Sequence, residues 1–306
     1  MDQNPLGRPT LTVSRVGLGC NNFGRRIDRE PSLAVLAAAV DSGITFFDTA
    51  DVYGTGASER IVGEALAGRS DDLVVATKFG MDMAGANGDA PGGSREYVRR
   101  AIDASLERLG RDHVDLYYYH RPDGVTPLEE TLGAMHELVL EGKVRWLGLS
   151  NAEPSHLERA AAFAEAGGSP VVAVQNFFSL LHRDDEAEVL PLARELGMGY
   201  IPYFPLESGL LTGKYRRGEP EPEGARLSGL NDGRLSEERL VRAEELETFA
   251  ARRGHTLLEL AIGGLASIDG IPSVIAGATK PEQVRANVAA GNWQLTPAEL
   301  DELASR

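Results

Sequence analysis

Eight short runs rich in β-branched and aromatic residues recur along the chain, and each is followed by a longer segment with apolar residues at helical spacing. The runs are Val16 to Leu18, Thr45 to Phe47, Leu73 to Thr77, Val114 to Tyr119, Val144 to Leu149, Val171 to Gln175, Tyr200 to Tyr203 and Ser273 to Ala276. The intervening segments predict helices over Ser32 to Asp41, Ser58 to Leu66, Arg95 to Leu109, Leu128 to Glu141, Pro154 to Glu165 and Glu186 to Leu196. A helical stretch from Glu237 to Ser267 follows the seventh run, and additional C-terminal helices, Pro281 to Ala290 and Pro297 to Ala304, follow the eighth. Strands separated by helices pair in parallel, because a parallel connection needs a crossover of about a dozen residues or more.

Eight such units in 306 residues predict an α/β chain folded as a closed (β/α)8 TIM barrel, with residues 1–306 forming a single domain. An open doubly wound sheet would carry a glycine-rich turn after its first strand. Gly17-Leu18-Gly19-Cys20-Asn21-Asn22 lacks the third glycine of that fingerprint. Leu11 to Arg15 reads as half of an N-terminal β-hairpin closing the barrel floor. Phe79 to Ser94 and Pro205 to Ser236 read as long loops; both follow strands, so both are expected on the face where such barrels place their sites.

Composition narrows the function classes. No run approaches the roughly 20 apolar residues that span a bilayer, and Met1 to Thr10 is polar, so the expected location is cytoplasmic, without membrane insertion. A formal charge of −15 disfavours nucleic acid and anionic surfaces as partners. The single cysteine, Cys20, excludes an internal disulfide and reads as a small buried residue, and no metal site is expected. Lysine is scarce: Lys78, Lys143, Lys214 and Lys280 stand beside 27 arginines. Positions that keep lysine against this bias are candidates for chemistry that a guanidinium cannot perform. Oligomeric state leaves no mark in the sequence.

Nearly every expected strand ends in a reactive or hydrogen-bonding residue: Asp48, Lys78, His120, Ser150 with Asn151, Gln175, and Tyr203. A barrel brings such ends to one mouth. A buried Lys78 needs a counter-charge, and Asp48 is the natural one. Tyr53 lies five residues beyond Asp48, and a neighbouring ammonium is expected to lower its pKa from about 10. His120 suits orienting a carbonyl oxygen or relaying a proton. Taken singly, each has a bland reading as turn, cap or packing residue; their joint occurrence favours protonation of a developing alkoxide.

The sequence closely resembles the aldo-keto reductase superfamily along nearly its whole length. The motifs are Phe47-Asp48-Thr49-Ala50 with Tyr53-Gly54, Ala76-Thr77-Lys78, His120-Arg121-Pro122, Gly148-Leu149-Ser150-Asn151, Val174-Gln175-Asn176, Pro205-Leu206, Gly209 to Tyr215 and Pro281-Glu282-Gln283-Val284 to Asn287. The resemblance implies hydride transfer from NADPH, with NADH the alternative, to an aldehyde or ketone. It implies Tyr53 as proton donor, Asp48 and Lys78 as its tuners and His120 as the substrate-orienting group. It also implies that Ser150, Asn151 and Gln175 hold the nicotinamide carboxamide and that Tyr203 stacks on the ring. Pro205, Leu206 and Lys214 match pyrophosphate-loop positions, and Gly277, Thr279, Lys280, Gln283 and Asn287 match the adenosine end. Lys143, in a family turn, reads as structural or solvated. Phe204 and Ala276 depart from residues common in relatives, which bears on the shape of the cofactor loop; Gln283 stands where some NADP-selective members carry arginine and many bacterial relatives share glutamine, which bears on the choice between NADPH and NADH.

Asn21, Asn22 and Phe79 are expected around a small-molecule carbonyl substrate, a sugar or hydroxylated carbonyl among the candidates, although asparagines there also suit a turn. Two other readings compete with the reductase. One is a Schiff-base aldolase using Lys78. The other is a cofactor-binding regulatory subunit with slow turnover, since the chain resembles the family's potassium-channel β subunits over Gly209 to Tyr215.

Overall fold

The side chains of successive strand residues point to opposite faces, and here that alternation sorts the apolar residues into two cores. In the computed structural model, which describes residues 1–8, 11–69, 73–83, 92–230 and 232–304, eight parallel strands form one sheet. They are β3 (Val16–Gly19), β4 (Phe46–Asp48), β5 (Val74–Phe79), β6 (Val114–Tyr119), β7 (Val144–Ser150), β8 (Val171–Phe177), β9 (Gly199–Tyr203) and β10 (Val274–Gly277), in the order β10-β3-β4-β5-β6-β7-β8-β9. Beside the seam between β9 and β10, the Tyr200 N–H donates to the Gly270 carbonyl at 2.9 Å. The sheet is the near-closed barrel of a (β/α)8 fold.

The inner core holds Phe46, Val74, Ala76, Leu116, Tyr118, Val172, Ala173, Ile201 and Ile275. Below it lies the hairpin β1 (Gln3–Leu6) and β2 (Leu11–Ser14), antiparallel, with Leu6 and Val13 packed up into the same cluster. The expected floor is there. Bulky residues fit inside because small ones face them: a Cβ on Gly148 would lie 2.4 Å from the Tyr118 ring.

The outer core joins the other strand face to the helices. These are α1 (Arg29–Asp41), α2 (Ala57–Ala65), α3 (Arg95–Leu109), α4 (Leu128–Leu140), α5 (Pro154–Glu165), α6 (Val189–Glu195), α7 (Glu237–Ala251), α8 (Leu257–Glu259), α9 (Pro281–Ala290) and α10 (Pro297–Ala304). Ser94 caps α3 by accepting from Tyr97 N–H, and Gly110 ends it in the left-handed conformation. The single helical stretch expected over Glu237 to Ser267 is broken. Gly254 takes a φ of 77°, and Thr256 and Glu259 form a reciprocal cap that starts α8. A wide π turn at Leu260–Gly264 and a 3₁₀ turn at Leu265–Ser267 then complete the crossover.

The long loop after β9 is pinned at two points. Glu207 is buried, accepting from Ser179 Oγ and from Arg239 Nη2 at 2.7 Å. Further on, Leu227 is fully buried and its N–H donates to the Tyr215 hydroxyl at 3.0 Å. Half of the other expected loop, residues 84–91, lies outside the described residues.

Candidate active site

The last inward-facing residue of each strand stands at the barrel mouth, which explains why strand-end residues meet. Asp48 closes β4 and Lys78 stands one residue before the end of β5, both buried inside the sheet. Lys78 Nζ donates to Asp48 Oδ1 at 2.5 Å and to the Thr49 carbonyl at 2.9 Å. Gln175, from the opposite side of the barrel, donates its Nε2 to Asp48 Oδ2 at 2.8 Å. The carboxylate is thus held by two strands and the ammonium has its counter-charge, as a buried ion requires.

Tyr53 stands on the turn after β4. Thr49 and Asp51 tie that turn to β5 through N–H bonds to the Ala76 and Lys78 carbonyls at 2.9 and 3.1 Å. Thr49 Oγ1 and Ser58 Oγ lie 2.8 Å apart, and Ser58 Oγ also donates to the Cys20 carbonyl at 2.9 Å. The Tyr53 hydroxyl lies 3.5 Å from Lys78 Nζ, and its ring meets the His120 ring edge-on at a centroid distance of 5.9 Å.

The electrostatics differ from the sequence expectation in one respect. Burial raises the Tyr53 pKa, and the opposing pull of Lys78 does not overcome it, so the phenol stays above its ordinary value. Burial also pulls Lys78 down, but Asp48 and Tyr53 outweigh it and the ammonium is held charged. His120 is pushed well below the ordinary imidazole value by burial, then by Lys78 and Arg121. Its ring is neutral, with Nδ1 buried and without a hydrogen-bond partner among the described residues. The Cys20 thiol is raised well above its usual value, chiefly by burial, and lies within the outer core.

A cavity of about 790 Å³ runs from these groups to the start of α9. Along it stand Asn21, Asn22, Asp48, Tyr53, His120, Asn151, Gln175, Tyr203, Pro205, Leu206, Lys214, Gly277, Thr279, Lys280, Gln283 and Asn287, so most of the expected site residues share one cleft. Asn22 acts largely as a turn former. Its amide donates to the Ala278 carbonyl at 3.2 Å, and its own carbonyl accepts from Arg26 and Ile27 N–H. Ser150 is buried off the cavity wall, its hydroxyl accepting from Asn151 Nδ2 at 3.2 Å. Asn151 has a φ of 53°, and the Tyr203 hydroxyl donates to its Oδ1 at 2.7 Å.

Phe79 is not at the cavity. It is fully buried in the outer core, stacked between Tyr117 and Tyr119 at centroid distances of 4.7 and 5.3 Å. Strand alternation explains this, since Lys78 faces inward and its neighbour must face out. The same alternation was readable in the sequence. Lys143, read as structural, pairs at the surface with Asp103 at 2.7 Å and Glu141 at 3.4 Å.

The structure adds Arg25 and Arg26 after β3 and Arg226 in the loop after β9, which no sequence motif contained, and Arg121 beside His120, which stood in a motif without a role. Among the described residues none of these four, nor Lys214 or Lys280, has an ion-pair partner. Burial and then Arg26 lower the Lys214 pKa; burial, Arg26, Arg234 and Arg25 lower that of Arg226. Unpaired cations gathered against one another in a chain of charge −15 mark an anion site. An arginine-rich composition hid them, because no single arginine stands out among 27.

These features fit a dinucleotide. The cations suit its phosphates, and Gly277 leaves room beside Asn22, where a Cβ would come within 3.2 Å of the amide. Lys280 and Pro281 place the start of α9 at the cavity, where the helix dipole favours an anion. Gln175 commits its Nε2 to Asp48, which turns the amide so that its Oε1 can accept from a carboxamide N–H. No group of three His, Cys, Asp or Glu among the described residues is placed to hold a metal ion, and no described helix is long and apolar enough to cross a membrane.

Comparison with known proteins agrees with this geometry. The sequence model of the aldo/keto reductase family matches residues 15–305. The chain is 37% identical over 307 residues to a probable aldo-keto reductase 1 of Glycine max, covering 97% of this chain and 86% of the relative. It is 36% identical over 318 residues to the L-glyceraldehyde 3-phosphate reductase of Escherichia coli K12, covering 99% and 91%. Since the similarity spans every strand that carries a cleft residue, barrel and cleft belong together, and the protein is a member of the aldo/keto reductase family, an NAD(P)H-dependent oxidoreductase.

Proposed function

We propose that the protein reduces an aldehyde or ketone to an alcohol with NADPH, the proton coming from Tyr53. The observation that carries this reading is the placement of the Tyr53 hydroxyl, 3.5 Å from a buried ammonium and beside a neutral imidazole, at the deep end of a cleft lined further out by unpaired cations. When bound, the dinucleotide supplies the hydride. Tyr53, kept protonated by burial, gives its proton to the forming alkoxide. Lys78 stabilises the phenolate left behind, and Asp48 holds Lys78 in place. A neutral His120 ring has one N–H, which orients the carbonyl oxygen toward Tyr53.

Asn151 and Gln175 orient the carboxamide, Tyr203 covers the nicotinamide ring, and Lys214, Arg226 and Lys280 bind the phosphates. The cluster of cations favours NADPH over NADH, because the extra phosphate adds charge that they can bind. The Escherichia coli relative is named for a phosphorylated aldehyde. Arg121, exposed beside His120 and without an ion-pair partner among the described residues, suits a small hydroxylated or phosphorylated carbonyl.

A panel of aldehydes, ketones and sugar phosphates, followed by loss of NADPH and NADH absorbance, tests this reading. Turnover of small hydroxy-aldehydes with NADPH supports it. A Lys78 adduct trapped by borohydride in the absence of any nucleotide oxidation would overturn it in favour of the aldolase.

A further inference from the structure

Behind the turn that carries Tyr53, on the outer face of the barrel, lies a second cluster of titratable groups that the proposed chemistry does not use. Asp51, two residues before Tyr53, is completely buried, and its Oδ1 has no hydrogen-bond partner among the described residues. Its Oδ2 accepts from the Tyr97 hydroxyl of α3 at 3.3 Å. Glu59, from α2, is equally buried. It accepts from Thr77 Oγ1 at 2.6 Å and from Arg108 Nε at 2.5 Å. Arg108 also donates to Ser105 Oγ at 3.1 Å, and its stem passes so close to Gly56 that a Cβ there would come within 2.6 Å. Tyr117 of β6 faces the same cluster, its buried hydroxyl also lacking a partner among the described residues.

Two buried carboxyl groups therefore face one guanidinium. Two carboxylates against one cation leave a net buried charge, which is costly at low dielectric, whereas one carboxylate and one protonated carboxyl leave none. Glu59 holds the direct bond to Arg108, so the proton falls to Asp51. An orphaned Oδ1 is also easier to tolerate on a neutral carboxyl than on a carboxylate.

We propose that Asp51 is a positioning residue for Tyr53: the Asp51–Glu59 pair carries one proton, and in that form locks the Tyr53 turn against α2 and α3. The proposal rests on the reading of Tyr53 as proton donor. The groups facing Asp51 are Glu59 on α2, Tyr97 and Arg108 on α3, and Tyr117 on β6, with the Val52 N–H on its own turn. Their balance supports the assignment, since burial first and Glu59 second push Asp51 up to about 7, against the pull of the Val52 N–H, Arg108 and Tyr97. Loss of the proton puts a second charge behind the turn and loosens the donor. The rate then falls although Tyr53 itself is still protonated.

The test is the pH profile of kcat for glyceraldehyde reduction by NADPH. The wild type is expected to lose about fivefold or more between roughly pH 6 and pH 8.5, while D51N varies by less than about twofold over that range. Tyr97→Phe removes a bond that favours the carboxylate and is expected to move the limb to higher pH; Glu59→Gln removes the like charge and is expected to move it lower. A role in packing alone would lower kcat equally at every pH. An infrared band from a protonated buried carboxyl, present near pH 6, lost on alkalinisation and missing from D51N, reports the proton without any turnover, so it decides the inference even if glyceraldehyde is not reduced. Should D51N fail to fold, the opposite shifts of the other two variants decide. A flat wild-type profile, an unchanged limb in D51N, or the absence of the carboxyl band would overturn the proposal.

Discussion

The Lys78 ammonium lies 3.5 Å from the Tyr53 hydroxyl and 2.5 Å from Asp48 Oδ1. It is bound to the carboxylate and only approaches the phenol. That ordering explains why burial prevails over the ammonium in setting the acidity of Tyr53.

Tyr53→Phe removes the proton and little else, because the ring still packs beside His120. Carbonyl reduction is expected to fall by about 10²- to 10⁴-fold in kcat/KM, with NADPH affinity by fluorescence titration within about twofold of wild type. Wild-type rates in this variant would remove Tyr53 from the chemistry.

A raised phenol pKa has a direction-specific consequence. Reduction needs the protonated phenol and oxidation of the alcohol needs the phenolate. The rate of alcohol oxidation with NADP⁺ is therefore expected to keep climbing past about pH 10 rather than level off below it. A plateau near neutral pH in the oxidative direction would show that bound nucleotide or another group sets the proton transfer.

Lys78→Met leaves the Asp48 carboxylate buried with Gln175 as its only side-chain hydrogen-bond donor among the described residues. The loss of stability is expected to be about 3–5 kcal/mol, read from urea unfolding. In the double variant Asp48→Asn/Lys78→Met, most of that loss should be recovered, because no charge remains unpaired. Additive losses would mean that the pair contributes no coupling.

Asp51 also links stability to pH. Its folded pKa, about 7, lies above the ordinary carboxyl value. The folded state thus holds a proton that the unfolded state releases, and this contribution is fully present below about pH 4 and lost as pH rises to about 7. The unfolding free energy of D51N minus that of wild type should accordingly increase over that window, by at most about 1.4 kcal/mol per pH unit, and then stay level. His120 acts in the opposite sense. Its depressed folded pKa costs stability as pH falls below about 6.5, and it does so in both proteins, so the difference isolates Asp51.

Lys214→Met is expected to raise the KM for NADPH by about tenfold or more, a charge-assisted contact of about 1.5–3 kcal/mol, with kcat little changed. Added salt should reproduce part of the effect in the wild type. An unaltered KM would move the phosphates away from the loop after β9.

How much of this was legible in advance differs by element. Strand and helix order followed from periodicity, and α3, α5, α9 and α10 begin and end where that periodicity placed them. The stretch from Glu237 to Ser267 misled because its apolar spacing continues across Gly254, while the Thr256–Glu259 cap that restarts the helix is a local bond between side chain and backbone. Asp48, Lys78 and His120 were visible as polar ends of apolar runs. Phe79 was misplaced because it was read by its position in the chain and not by the face to which it points.

The cation cluster and the Asp51–Glu59 pair were not legible, for a different reason. Arg25 and Arg26 are about two hundred residues from Arg226, and Glu59 reaches Asp51 from α2 while Tyr97 and Arg108 reach it from α3. The amino-acid sequence by itself determined the βα repeat and which residue types stand at the strand ends, since both follow from local periodicity and from which side chains tolerate burial. Only the tertiary structure decided the other partners: which amide joins Lys78 on Asp48, which carboxyl keeps a proton, and which arginines stay unpaired. Charge balance in a low-dielectric interior depends on distances through space, and closure of the barrel is what sets them.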